Sequence, residues 1–276
     1  MSNKFNFGKN WKRFVEKYFN EDKINFAQKS LCDFLKIKDL TGKTFVDVGC
    51  GSGLFSLAAL RMGAIKVVSF DADPISVDCS KALREKYGFS DRWEIIEGSV
   101  FDISLLEKLG KFDIVYSWGV LHHTGNMWNA ISNVLSMVND DGFVYIAIYN
   151  KAEAWGIYKD GRFGTSKFWE IEKKIYSQMP EFLQFCVELI TEFILIILYV
   201  LTFNNPVKKI KSHGILYRGM SWRTDIKDWL GGYPYEYAYI SEVFKFVSEK
   251  GFCLVNLKDN NGLMNNEYLF KKKICE

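Results

Sequence analysis

An α/β fold, a doubly wound and mostly parallel sheet, is what this sequence predicts, and three observations carry the prediction. Residues 44–48, Thr-Phe-Val-Asp-Val, read as a short apolar strand that runs into glycines at 49, 51 and 53 and then into the helix-prone stretch 54–60. That is a strand, a sharp turn and a helix whose first N–H groups are free for a ligand. Apolar runs at 66–70, 93–97, 112–117 and 142–149 alternate with helical segments such as 75–87 and 127–138, which makes a parallel sheet covered on both faces. The chain then closes with a helix at 240–250, Gly251 as its C-cap, and strands at 253–257 and 267–271 around a turn at 259–262.

Bulk properties narrow the class. The 276 residues suffice for one large domain or a core with a substantial insertion. Four prolines and 48% apolar residues argue against disorder. A net charge of +3 and a pI near 8.4 demand neither nucleic acid nor membrane, and no basic stripe with interleaved aromatics is long enough for a nucleic-acid partner. Cys32, Cys50, Cys79, Cys186, Cys253 and Cys275 form no C-x-x-C pair, so reduced thiols in a cytoplasmic protein are expected. The first residues lack an apolar signal core. Four regions follow: a helical cap at 1–40, a ligand-binding core at 41–150, a helical and aromatic insertion at 151–239, and a return to the core at 240–276.

The glycine turn is not the dinucleotide fingerprint, because Leu54 stands where a third glycine would fall. Its glycines instead recur at every second position behind Asp47. Asp47-Val48-Gly49-Cys50-Gly51-Ser52-Gly53 resembles the first motif of class I S-adenosylmethionine-dependent methyltransferases. The resemblance implies S-adenosylmethionine as cofactor, a seven-stranded Rossmann-like sheet whose last two strands pair antiparallel, a loop passing the methionine moiety, and Asp47 near its amino group. A carboxylate suits an ammonium and a sulfonium; it would repel a pyrophosphate.

Upstream, residues 9–37 read as two helices, with Trp11, Phe14, Val15, Tyr18 and Phe19 at helical spacing and a second apolar set after Asn20. They cap the sheet, or, as the resemblance implies, the first of them closes over the cofactor and brings Trp11 to it. Asp71, with Ala72 beside it, ends the second strand about twenty residues past the first glycine. An open α/β sheet places there the acid that binds the ribose hydroxyls, and the resemblance assigns Asp71 the same duty. Asp73 before Pro74 reads as a helix N-cap. The resemblance frames the adenine with the residues after the third strand: Ser99 or Asp102 on its exocyclic amine, Val100 and Phe101 against the ring. Asp102 reads equally as a turn or cap residue.

Strand ends of a parallel sheet face the ligand crevice, so Ser117 and Trp118 are expected beside the transferable methyl. His122 and His123 follow in a Leu-His-His sequence that similar chains carry. Either imidazole suits a general base toward an acceptor hydroxyl near neutral pH, and either could instead bond to backbone. No H-x-x-x-H or carboxylate cluster accompanies them, so no metal is expected.

The insertion carries the specificity. Residues 181–203 predict a long helix with Glu181, Gln184, Glu188, Thr191 and Glu192 on one side and a stretch from Phe193 onward that is apolar all round. Two glutamates interrupt the apolar count, so a membrane span is not expected. The helix packs on its own domain or a second copy, or lies peripherally on the inner membrane surface, where lysines 208, 209 and 211 would suit anionic headgroups. Downstream, Arg218-Gly219-Met220-Ser221-Trp222 and Asp228-Trp229-Leu230-Gly231-Gly232-Tyr233-Pro234-Tyr235-Glu236 resemble segments of bacterial methyltransferases of the demethylubiquinone O-methylase type. Arg218, Arg223, Trp229, Tyr233, Tyr235 and Glu236 are accordingly the candidate acceptor-binding residues. The plainer alternative makes Tyr233-Pro234 a turn and pairs Arg223 with Asp225 or Glu236.

The expected activity is in-line O-methylation of a small molecule, oxygen being favoured by the resemblance alone. The acceptor is a quinol-like lipid or a soluble sugar, sugar-nucleotide or phosphorylated precursor. A protein that keeps the cofactor turn but transfers nothing is the alternative of another class.

Overall fold

The computed structural model describes residues 7–159, 161–216 and 222–273. Its sheet has the strand order β3-β2-β1-β4-β5-β7-β6. Strands β1 (Thr44–Val48), β2 (Lys66–Asp71), β3 (Trp93–Glu97), β4 (Phe112–Trp118) and β5 (Val138–Tyr149) run parallel. β7 (Asn265–Lys272) lies antiparallel between β5 and β6 (Phe252–Lys258). This is the seven-stranded sheet with an antiparallel last pair that the resemblance implies. The strand order reverses between β1 and β4, and in an open sheet of this kind the ligand crevice forms there, beyond the carboxyl ends of the strands.

Both faces of the sheet are covered, which is why β1 and β4 are almost continuously apolar. On one face α1 (Phe7–Lys17), α2 (Glu21–Leu35), α3 (Leu54–Arg61) and α4 (Pro74–Tyr87) bury Phe14, Leu31, Leu57 and Leu83 with Phe45, Tyr116 and Tyr145 of the strands. On the other, α5 (Ile103–Leu109), α6 (Met127–Ser136) and α11 (Ile240–Ser248) bury Leu106, Ile131 and Val243 against Val46, Val115 and Val144. Helix ends follow local chemistry. The Asn20 side chain accepts from Lys23 N–H at 3.1 Å to start α2, and Asp73 accepts from Ile75 N–H at 2.8 Å with Pro74 at the first helical position of α4.

The structure departs from expectation at three places. β5 begins at Val138, not 142: Val138 pairs with Phe112, residues 139–142 bulge out with Asp141 at φ 64°, and pairing resumes at Phe143 opposite Ile114. Helix α5, absent from the sequence reading, starts where the Asp102 side chain accepts from Leu105 N–H at 3.1 Å. Two helices that were not expected also occur in the insertion: α9 (Pro206–Leu216), and α10 (Trp222–Gly231) within the segment rich in ligand-type groups. Trp222, Ile226, Trp229 and Leu230 of α10 fall at helical spacing and pack with Trp169 and Tyr176 of α7 (Ser166–Gln178) in a third apolar cluster. Between α7 and α9 runs α8 (Glu181–Leu201).

Candidate active site

A cleft of about 1150 Å³ opens at the carboxyl ends of β1, β2, β3 and β4, large enough for a nucleoside-sized ligand and a second small molecule together. One half is built around the glycine turn. Gly49 and Gly51 stand at φ +76° and +53°; a Cβ on Gly49 would meet Val120 Cγ1 at 2.4 Å, and one on Gly51 would meet Trp11 Nε1 at 2.8 Å. Only glycine fits such a conformation against such neighbours without strain. Gly51 N–H donates to Asp71 at 3.0 Å and Asp73 N–H donates to its other oxygen at 2.9 Å, so the turn and the end of β2 hold each other. Burial pushes the Asp71 carboxyl up, against the pull of these two bonds.

Asp47 is fixed differently. The Trp93 indole N–H donates to Ser69 Oγ at 2.7 Å, Ser69 to Ser56 Oγ at 2.7 Å, and Ser56 to Asp47 Oδ2 at 2.6 Å. All four side chains are buried. A closed chain of donors of this sort orients the carboxylate at the mouth of the turn.

The other half is walled by α1, the turn after β4, β5 and α10. Within the 3-10 turn Leu121–His123, His123 faces the cleft and His122 does not. His123 Nδ1 lies 2.6 Å from the Pro234 carbonyl. A carbonyl only accepts, so Nδ1 carries the proton and Nε2 carries the lone pair. Enclosure lowers the His123 pKa to about 4, so the ring is neutral at pH 7. Phe7 of α1 and Tyr149 of β5 pack on it, with ring centroids 5.0 and 5.5 Å away. Gly232 backs it so closely that a Cβ there would meet His123 Cε1 at 2.8 Å.

Aromatic and charged groups complete this half. Arg162 stands 3.9 Å from the centre of the Trp229 ring, and Lys173, wholly buried, also approaches it to 3.9 Å. Burial drives the Lys173 ammonium down from the ordinary lysine range. Asp228 accepts from the Asn10 amide at 2.5 Å, and burial raises its pKa to about 7. Asn10 and Phe7 thus tie α1 over this half of the cleft, while Gly8 N–H donates to Asp73 at 2.9 Å beside the glycine turn.

The candidates named from sequence separate accordingly. Asp47, Gly49, Gly51, Asp71, Ala72, Ser99, Val100, Trp118 and Trp11 line the cleft, as do Trp229 and Tyr233. Gly53 instead starts α3 from a left-handed conformation, Ser117 donates to the Val48 carbonyl at 3.0 Å between strands, and Asp102 is the cap of α5. Tyr235 is buried behind Tyr149, with ring centroids 4.8 Å apart. Glu236 accepts Met127 N–H at 3.0 and 3.1 Å and so caps α6. Arg223 is outside the cleft: it pairs with neither Asp225 nor Glu236 but with Glu192 of α8, at 2.8 Å. Arg218 lies outside the described residues. His122 is fully buried without a well-formed hydrogen bond on either ring nitrogen, and burial drives its pKa well below the ordinary histidine value.

Sequence reasoning missed Tyr149, Lys159, Arg162 and Asp228 as cleft residues. Tyr149 had a signal, being the last residue of a strand, and so did Asp228, which opens the segment Asp228–Glu236 singled out above; Lys159 and Arg162 have none, because only packing brings them to β4. Among the described residues no group of three or more His, Cys, Asp or Glu could hold a metal.

A family model described as a methyltransferase domain matches residues 16–183, more than half of the chain. Ribosomal protein L11 methyltransferase of Escherichia coli (strain K12 / DH10B) is 48% identical over 67 residues, which are 24% of this chain and 23% of that protein. The chain therefore spans less than a quarter of the length of the curated relatives it matches. Magnesium protoporphyrin IX methyltransferase from Synechocystis PCC 6803 with bound SAH superposes with a TM-score of 0.53 at 14% identity, over 96% of this chain and 94% of that one. The mitomycin 7-O-methyltransferase structure gives 0.51 at 12% identity, over 91% and 54%. At such identities the likeness is one of fold. The glycine turn that no Cβ could enter, the carboxylate of Asp47 for an ammonium and that of Asp71 for a diol fit S-adenosylmethionine, and the chain belongs to the methyltransferase-domain family that uses this cofactor.

Proposed function

We propose that the chain methylates a hydroxyl oxygen of a small molecule held between His123, Tyr149, Trp229 and Tyr233. The observation that carries this reading is the bond from His123 Nδ1 to the Pro234 carbonyl, which leaves Nε2 as the proton-accepting nitrogen in a cleft shared with the glycine turn. S-adenosylmethionine, when bound, supplies an electrophilic methyl on a sulfonium. The chain's own residues do the rest. Asp47 and Asp71 hold the amino and ribose groups, Phe7 and Trp11 of α1 exclude water, and His123 takes the acceptor's proton as the oxygen becomes nucleophilic. His122 is wholly buried and does not line the cleft, so the base is His123 alone.

Arg162 and Lys159 favour an acceptor that also carries an anionic or strongly polar group, such as a phosphorylated or acidic precursor. The quinol-like acceptor of the sequence resemblance finds its support in the rings of Tyr149, Trp229 and Tyr233. Incubating the protein with methyl-labelled S-adenosylmethionine and a cell extract, then separating aqueous and organic phases, tests the activity and sorts these classes. Label in a small, alkali-stable ether product supports O-methylation; label in nitrogen-linked product or in protein refutes it. Tight cofactor binding with no transfer would mean a non-catalytic binding protein.

A further inference from the structure

None of the 21 residues of α8 is buried. Its outward face runs from Phe182, 74% exposed, through Ile190, Phe193 and Val200 to Leu201, 68% exposed, with Phe203, 98% exposed, just past its end, and every exposed side chain between Glu181 and Thr202 is apolar. The helix's two inner acids point the other way. Glu192 meets Arg223 at 2.8 Å, and Glu188 meets Lys227 at 3.4 Å and accepts from the Tyr176 hydroxyl at 2.7 Å.

Those contacts decide how such a face can be covered. By length and composition α8 could cross a bilayer, being about 31 Å long at 1.5 Å per residue. Threading it across would strip Glu188 and Glu192 from partners on α10 and leave them in hydrocarbon. Fastened lengthwise to the domain, the helix can instead lie in the plane of an interface. The segment that follows adds charge: Lys208, Lys209 and Lys211 are exposed on α9, and no acid occurs from Phe193 to His213. A twofold mate would present its own apolar face and lysines to these, with no carboxylate opposite. An anionic bilayer complements both features.

We propose that the outward face of α8, with Lys208, Lys209 and Lys211, docks on the surface of a bilayer containing anionic phospholipid. Apolar side chains of α8 enter the acyl boundary and the three lysines meet the headgroup phosphates. α10 carries the consequence inward, since Arg223 and Lys227 hold α8 while Asp228 and Trp229 line the cleft. Docking sets the acceptor half one helix away from the membrane. The proposal does not depend on the chemistry assigned to His123.

The test is flotation of the full chain with phosphatidylglycerol–phosphatidylcholine vesicles and with phosphatidylcholine alone. Flotation is expected with the anionic vesicles, release by alkaline carbonate, a loss of binding of about 100-fold in the Lys208→Gln, Lys209→Gln, Lys211→Gln variant, and loss in Ile190→Glu with Phe193→Glu. All five sites are exposed, so thermal melting should match the parent chain and exclude misfolding. Equal binding to neutral vesicles overturns the anionic assignment, and resistance to carbonate overturns the surface geometry in favour of a span. If the parent chain fails to float, the proposal is wrong, and sedimentation then tells whether a dimer abolished by the double variant covers the face.

Discussion

The two halves of the cleft are assembled by different means. The cofactor half is made by backbone: strand ends, three glycines and helix starts, with Asp71 held by the N–H groups of Gly51 and Asp73 and Asp47 at the end of a buried hydrogen-bonded chain. Both carboxylates accept defined hydrogen bonds, and the geometry follows from the parallel sheet. The acceptor half is made by side chains drawn from α1, the turn after β4, β5 and α10, and its ionisable groups are held by desolvation, with the His123 pKa driven down and that of Asp228 driven up. The two halves are held by different contacts, so they should fail separately when perturbed.

Replacing His123 by alanine should lower kcat by about 10²–10⁴-fold while leaving affinity for S-adenosylhomocysteine nearly unchanged; calorimetry beside steady-state kinetics reads both. A parallel loss of cofactor affinity would show that the halves are not separable. Gly51→Val is the converse. A side chain at φ +53° against Trp11 costs about 1–3 kcal/mol, so cofactor affinity should fall about 5- to 150-fold with the fold retained by circular dichroism. Ser56→Ala removes one link of the chain that orients Asp47 and leaves a buried lone pair unserved. About 1–2 kcal/mol of stability should go, read as a lower denaturant midpoint, with only a severalfold effect on cofactor binding.

The smallest effect separates the groups by pH. The imidazole accepts a proton only when neutral, and a pKa lowered to about 4 keeps it neutral as pH falls through the ordinary histidine range. The acid limb of kcat/KM should therefore lie near pH 4, with nearly full activity at pH 6. A limb at 6.5 would mean that the base is another group or that His123 is solvated in the working enzyme. The same depressed pKa favours the folded state above about pH 6.5, an advantage lost progressively as pH falls toward 4.

Asp73 and Asp102 show how far local chemistry reads from sequence. Asp73-Pro74 is a helix start at any place in any fold, and it starts α4; Asp102 was open between adenine contact and cap, and it caps α5. Paired histidines read as equals, because both share one composition and one neighbourhood in sequence; the 3-10 turn rotates one into the core and the other into the cleft. Arg223 read as an acceptor ligand because a cation beside tryptophans suits an anion, and its helix turns it outward to Glu192 instead.

The sequence by itself determined the strand–glycine–helix turn, the acid that ends β2, the alternation that makes the sheet parallel and the closing pair of strands, because each depends on φ, periodicity or capping within a few residues. Tertiary structure alone decided which histidine faces the ligand, which cations reach the cleft and which face of α8 is left uncovered. Those are outcomes of packing between segments as far apart as Asn10 and Asp228, and no local pattern encodes a neighbour that distant.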